Sequence, residues 1–264
     1  MIHFPSVRAV GYSGLMTETK KEPPAWHLPN MQPTLNHTGF MFKVLDEFAD
    51  DFIHFAGQAD ERVLDLGCAY GVATIAALKA GGTVTACDLE QQHLDILVEN
   101  TPAELRPNLQ CIAGELPYVD FPEESFAAVF CSRVLHFLDG SAIDASVKKM
   151  FGWLRPGGRV YLVADTPYGI WRKFIPIFET KKEKGERWPG LMIGLENYLP
   201  TVPKDRPIAG PPFMNLLDPD LLTRICTEAG FEVQRANFID RSDFSGAGRM
   251  DGRENAGIFA IKPG

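Results

Sequence analysis

Along most of the chain, short apolar runs alternate with stretches in which apolar residues recur every three or four positions. The first pattern predicts buried strands and the second predicts helices packed on one face. Five strands are predicted, at 62–66, 83–88, 109–113, 126–131 and 159–165, and helices are predicted at 72–80, 90–100 and 141–154. Strands that alternate with helices in this way form a mostly parallel sheet with helices on both faces. The predicted fold class is α/β and Rossmann-like.

The flanks of this region carry different patterns. Residues 1–38 are rich in Pro, Gly, His and Asn without periodicity, so they are predicted to be an irregular leader before a domain over 39–264. Helical spacing of apolar residues over 40–55 predicts an N-terminal helix. Residues 166–217 hold many aromatic residues and prolines, and they are interpreted as a cap or substrate insertion after the fifth strand.

The alternation resumes near the end of the chain. Asp218-Pro219 is a typical helix start, and a helix is predicted from there through Ala229. Two further strands are predicted at 231–240 and 255–262 with no helix between them. We therefore expect a seven-stranded sheet whose last strand runs antiparallel.

Charge and cysteine content narrow the class of protein. The formal net charge is −8 and no basic stripe is evident, which makes nucleic acid an unfavourable partner. The five cysteines form no C-x-x-C pair, so no metal site is predicted. There is no signal-peptide pattern and no apolar run of about 18 residues, so we expect a cytoplasmic protein that is not embedded in a membrane.

The most informative segment is V-L-D-L-G-C-A-Y-G at 63–71. It predicts a buried strand that ends in a turn where Gly67 and Gly71 let the backbone approach a ligand. Asp88 closes the second strand, where a carboxylate can accept both hydroxyls of a ribose, and Gly114-Glu115 follow the third. Because the carboxyl ends of parallel strands share one edge, these groups are predicted to form a nucleotide-type site.

The glycine turn on its own allows two other interpretations. It could reflect tight strand-to-helix packing without a ligand. It could also belong to an NAD site, but the G-x-G-x-x-G fingerprint started at Gly67 meets Ala69 and then Val72, which is a poor fit.

The combination of motifs resembles the class I S-adenosylmethionine-dependent methyltransferases, especially those acting on small molecules. Asp65-x-Gly67-x-Ala69-x-Gly71 is similar to the D-x-G-x-G-x-G motif of that family, with Ala in place of the middle glycine. Asp88 matches the ribose-binding acid, and Leu-Arg-Pro-Gly-Gly-Arg at 154–159 is similar to the L-K-P-G-G turn. The resemblance covers about residues 60–165.

The resemblance implies S-adenosylmethionine as cofactor and assigns roles around it. Asp65 would orient the turn or accept from the amino group of the cofactor, and the backbone of 67–71 would line its methionine and ribose portions. Leu89 would lie against the adenine, Glu115 and the Leu116 amide would bind the adenine edge, and Cys131 would approach the methionine end. The implied cofactor-binding set is Asp65, Gly67, Cys68, Ala69, Gly71, Asp88, Leu89, Gly114, Glu115, Leu116 and Cys131.

The implied reaction is methylation of a small organic acceptor at O, N or C by in-line displacement. A general base is needed only if the acceptor must lose a proton, and His136 is the first candidate, because it follows the fourth strand. His37 and Tyr12 are weaker candidates, and His136 could instead be a packed, half-buried histidine. A protein or RNA methyltransferase and a non-catalytic cofactor-binding protein are the alternative functions.

Overall fold

The computed structural model describes residues 30–199 and 212–264. Its first element is a hairpin in which β1 (Met31–Pro33) pairs antiparallel with β2 (Phe40–Phe42). Helix α1 (Glu47–Ala56) follows. The hairpin crosses the boundary at residue 38 that the sequence pattern predicted between leader and domain.

The start of the first helix was predicted wrongly, because the sequence pattern placed it at residue 40. Residues 40–42 pair with 31–33 as strand, and the helix begins only after Asp46. The Asp46 carboxylate accepts hydrogen bonds from the backbone N–H groups of Phe48 and Ala49, at 3.0 and 3.1 Å. This cap satisfies donors that the first helical turn leaves unpaired, so the helix starts there.

The central sheet contains seven strands in the order β10-β11-β7-β6-β3-β4-β5. These strands are β3 (Val63–Leu66), β4 (Val84–Asp88), β5 (Leu109–Ala113), β6 (Phe126–Ser132), β7 (Leu154–Asp165), β10 (Glu232–Ile239) and β11 (Asn255–Ile261). Strand β11 is antiparallel to both of its neighbours, and the other neighbouring pairs are parallel. The predicted α/β fold with a seven-stranded, mostly parallel sheet is confirmed. One difference is that β7 begins at Leu154, before the predicted Pro-Gly-Gly stop.

The remaining helices and strands cover the sheet and form the insertion. The helices are α2 (Val72–Lys79), α3 (Gln91–Asn100), α4 (Gly140–Trp153), α5 (Ile175–Glu183) and α6 (Pro219–Ala229). In the 166–217 segment, β8 (Leu191–Ile193) pairs antiparallel with β9 (Phe213–Asn215). The Leu217 N–H donates to the Asp165 carbonyl at 3.0 Å, which ties the end of the insertion to the end of β7.

Two apolar layers hold the sheet between its helices. On one face, Phe48 and Phe52 of α1 pack on the sheet, and the Phe52 ring stacks on Phe130 with centroids 4.9 Å apart. On the other face, α4 and α6 pack on the sheet, and Trp153 of α4 lies in the same apolar cluster as Leu162 of β7. In the part of the chain that the structure describes, no helix combines the length and the apolar composition needed to span a membrane.

Candidate active site

The turn after β3 reverses the chain through three left-handed backbone positions. Gly67, Ala69 and Gly71 have φ values of 72°, 45° and 84°. The N–H groups of Gly67 and Cys68 both donate to the Cys87 carbonyl, at 2.7 and 3.2 Å, which fixes the turn to the end of β4. A left-handed conformation costs an L-residue about 1–2 kcal/mol, so the alanine at 69 is held there by its surroundings.

The space beside the glycines of the turn is filled by protein side chains. A Cβ added to Gly67 would lie 2.2 Å from Val134 Cγ2, and one added to Gly71 would lie 2.1 Å from Leu97 Cδ1. Gly114 behaves in the same way, because its Cβ would lie 2.5 Å from Val119 Cγ2. Close packing within the protein therefore requires these glycines, in addition to any approach by a ligand.

Asp65 is a buried carboxyl group between the turn and α2. The Thr74 hydroxyl donates to its Oδ2 at 2.6 Å. Burial raises the pKa of Asp65 to about 7; the nearby Asp88 charge raises it further and hydrogen bonds from Thr74 lower it. This geometry supports a part for Asp65 in orienting the turn, and its contact with a cofactor amino group stays a prediction.

Asp88 is the predicted ribose acid, and most of its acceptor capacity is used by the protein. Its Oδ2 accepts from the Ala69 N–H at 2.9 Å, and its Oδ1 accepts from the Glu90 N–H at 3.0 Å and from His93 Nδ1 at 2.9 Å. A carboxylate offers about four acceptor positions, so this conformation leaves one for a ligand. We expected a carboxylate free for both ribose hydroxyls, and the structure leaves room for one.

His93 is a site residue that the sequence pattern did not reveal. The Leu35 N–H donates to its Nε2 at 3.0 Å, so Nδ1 carries the proton and donates to Asp88. The Tyr70 hydroxyl also donates to the Pro33 carbonyl at 3.0 Å, and its ring meets His93 edge to face. The hairpin loop is therefore attached to the cofactor turn. Only the position of His93, in the first turn of the helix that follows Asp88, could have hinted at the contact.

The predicted adenine side is open. Leu89 is 55% exposed, and the Glu115 side chain is exposed without a hydrogen bond to any described residue. The Gly114 N–H donates to the Asp88 carbonyl at 2.9 Å, which places the two acidic positions on adjacent strand ends. An open apolar side chain beside an open carboxylate fits a purine base, and S-adenosylmethionine would supply the activated methyl group here. Leu116 itself is buried.

The two cysteines of the predicted set have buried thiols. Burial raises the pKa of both Cys68 and Cys131. Cys131 is fully buried and packs with the main apolar core, and its approach to the methionine end of a cofactor stays a prediction.

His136 does not have the geometry of a general base. The Asp165 N–H donates to its Nδ1 at 3.0 Å and the ring is buried, so the neutral ring has no free lone pair for a proton. Burial lowers the pKa of His136 to about 4. The structure thus corrects the prediction that His136 is a general base. The ring instead accepts a hydrogen bond from the backbone at the end of β7. His37 lies exposed at the tip of the hairpin loop, and Tyr12 lies outside the described residues.

The opposite end of the carboxyl edge carries a second polar group. Arg133 follows β6 and pairs with Asp165 at the end of β7, with 2.6 Å between Nη1 and Oδ1. Phe42 of the hairpin lies against the guanidinium, 4.1 Å from its ring centroid, and Asn255 bonds both partners of the pair. None of these residues belonged to the predicted site.

Two segments cover this end of the edge. The Phe137 ring packs against Gly39 of the hairpin, and the Leu217 N–H at the end of the insertion donates to the Asp165 carbonyl.

A cavity of about 280 Å³ lies behind the glycine turn, lined in part by Tyr70, Val72 and Ile75. That cavity includes neither Asp88 nor Glu115, so it is distinct from the predicted nucleoside site.

Comparison with known proteins agrees with this arrangement. Residues 63–158 match the family described as methyltransferase domain. A relative from Idiomarina loihiensis, ubiquinone biosynthesis O-methyltransferase, is 29% identical over 153 residues, which are 57% of this chain and 55% of the relative. The chain thus spans about half the length of this curated relative.

Solved structures share the fold. The glycopeptide N-methyltransferase MtfA with bound S-adenosylmethionine is 19% identical, with a TM-score of 0.54 over 82% of this chain and 86% of its own. The Burkholderia thailandensis 1,6-didemethyltoxoflavin-N1-methyltransferase, with bound 1,6-didemethyltoxoflavin and S-adenosylhomocysteine, is 18% identical, with a TM-score of 0.55 over 83% of this chain and 78% of its own. Residues 63–158, which hold the turn, Asp88 and Glu115 on one sheet edge, thus match a methyltransferase domain, and these solved methyltransferases share the fold of the chain.

Proposed function

We propose that this protein transfers the methyl group of S-adenosylmethionine to a small organic acceptor. The observation that carries the proposal is the division of the carboxyl edge into two parts. The ends of β3, β4 and β5 hold the glycine turn, Asp88 and Glu115, whereas the ends of β6 and β7 lie under the hairpin and the insertion. A covered acceptor side suits a small molecule better than a folded protein or RNA.

Similar proteins support the same class of acceptor. The Idiomarina relative is named as an O-methyltransferase of ubiquinone biosynthesis, and the Burkholderia enzyme was solved with a small heterocyclic substrate. These names favour oxygen or nitrogen acceptors. The formal net charge of −8 is unfavourable for binding a nucleic-acid backbone.

The first experiment measures cofactor binding by calorimetry with S-adenosylhomocysteine. Glu115→Ala removes an exposed carboxylate without a hydrogen bond in the described part of the chain, so the fold should persist while affinity falls about tenfold. Glu123→Ala is the matched control, because Glu123 is also exposed and lies away from the strand ends of the site. Absence of binding by the unmodified protein to both S-adenosylmethionine and its demethylated product would refute the proposal.

The second experiment tests transfer. The full chain is incubated with methyl-deuterated S-adenosylmethionine and pools of phenols, alcohols and amines, and products are identified by the mass of the added methyl group. Parallel pools of peptides and RNA test the competing classes. Methylation confined to peptides or RNA would contradict a small-molecule acceptor, and binding without any transfer would favour a non-catalytic protein.

A further inference from the structure

Asp165 has one oxygen held by the protein and one that is free. Its Oδ1 forms an ion pair with Arg133 Nη1 at 2.6 Å and accepts a hydrogen bond from Asn255 Nδ2 at 2.8 Å. Its Oδ2 forms no hydrogen bond with any residue in the described part of the chain, and the side chain is 14% exposed. The carboxylate is therefore fixed in orientation and still has an acceptor oxygen available.

The strand order places this oxygen on the acceptor side of the site. Strand β6 lies between β3 and β7, and Ser132 pairs with Val163, two residues before Asp165. With about 4.8 Å between neighbouring strands, Asp165 lies about 10 Å across the edge from the glycine turn. A nucleoside held by Asp88 and Glu115 would occupy the opposite end of the edge, so an acceptor must approach over β6 and β7.

The backbone conformation of Arg133 directs its side chain towards Asp165. Its φ is +62°, a left-handed conformation that is unfavourable for a residue with a side chain, and its N–H donates to the Val163 carbonyl at 2.8 Å. Residues held in such conformations are concentrated at functional sites. The conformation turns the guanidinium towards Asp165 and beneath Phe42.

We propose that Asp165 is the catalytic base of the transfer reaction, and that the acceptor is a hydroxyl or amine with a proton on the attacked atom. This inference depends on the proposed function. The lone pair of the acceptor oxygen or nitrogen forms a bond to the methyl carbon. The carbon–sulfur bond breaks with its electron pair moving to sulfur, which becomes a neutral thioether. The acceptor proton moves to Asp165 Oδ2 and then to solvent. Arg133 and Asn255 act as positioning residues.

The test uses an acceptor that the full chain methylates from the pools of phenols, alcohols and amines. Asp165→Asn retains an oxygen for Arg133 and Asn255 but cannot take a proton, so kcat should fall about 100-fold while the affinity for S-adenosylhomocysteine is unchanged. Asp243→Asn is the matched control, because both oxygens of Asp243 are already bonded to Arg241. It should retain turnover.

The possible results distinguish a wrong base assignment from a wrong proposed function. Turnover by Asp165→Asn within threefold of the unmodified protein would overturn the base assignment and leave methyl transfer intact. Failure of the unmodified protein to methylate any hydroxyl or amine would overturn the proposed function and this inference with it. If Asp165→Asn does not fold, Asp165→Glu gives the second measurement. A displaced base predicts at least a tenfold loss of kcat, and unchanged kcat would contradict the inference.

Discussion

The backbone of Leu35 is joined to the carboxylate of Asp88 through a single imidazole ring. His93 accepts from the Leu35 N–H with one nitrogen and donates to Asp88 with the other, at 3.0 and 2.9 Å. The bond to Asp88 is buried and the bond from Leu35 is partly buried. Each buried group that loses its partner carries a desolvation penalty. The hairpin before the domain therefore helps to orient the residue expected to bind ribose.

Replacing His93 should weaken cofactor binding and stability together. His93→Phe keeps a ring against Tyr70 but removes both hydrogen bonds, so we expect the free energy of unfolding to fall by about 1–3 kcal/mol. The Kd for S-adenosylhomocysteine should rise about tenfold, as measured by calorimetry. The exposed His54→Phe is the matched control. Unchanged affinity in His93→Phe would show that Asp88 does not depend on this ring.

The turn glycine should be intolerant of even one methyl group. In Gly67→Ala the Cβ would collide with Val134 in addition to the cost of a positive φ, and we expect a loss of about 2–5 kcal/mol in unfolding free energy. Gly157→Ala isolates the backbone cost, because Gly157 has φ of +74° and nothing within 4 Å of an added Cβ. That control should lose only about 1–2 kcal/mol. Equal losses in thermal or urea unfolding would mean that the Val134 contact is unimportant.

Burial of Asp65 should make stability fall as pH rises. Its folded pKa of about 7 lies above the ordinary value of 3.8, so the folded state binds more protons than the unfolded state between these values. Stability relative to Asp65→Asn should therefore be greatest near pH 4 and should decrease up to about pH 7. Urea titrations across this range test the sign, and a difference that is constant with pH would contradict the raised pKa.

His136 should produce the opposite dependence. Its folded pKa of about 4 lies below the ordinary value of 6.5, so the unfolded state binds more protons between these values. Stability therefore falls as the pH drops from about 6.5 to about 4. His136→Asn leaves an oxygen to accept from the Asp165 N–H and should remove this loss of stability at low pH. Because the ring has no free lone pair, kcat should change by less than about threefold. A drop of 100-fold or more would restore His136 as a catalytic candidate.

The local sequence pattern predicted the strands and helices that have strong periodicity. It failed where contacts between residues far apart in the chain determine the structure. The strands ending at Leu66 and Asp88 were predicted with the correct last residue, because buried parallel strands are nearly continuous apolar runs. The first helix was misplaced because apolar residues at 40–42 fit both periods, and only their partners at 31–33 select strand. His93, Arg133 and Asn255 escaped notice for the same reason. Each acts through a bond to a residue far away in the chain.

Strand β11 lies between β7 and β10 although it follows both in sequence. A nascent chain that has emerged through residue 165 already holds every strand that carries a predicted cofactor contact. It still lacks Asn255, whose side chain fixes the Asp165 carboxylate. During synthesis, the methyl-donor half can assemble well before the acceptor half, and the last strand to arrive completes the pairing at Asp165. The strands with the predicted cofactor contacts are therefore translated before the strand that completes the pairing at Asp165.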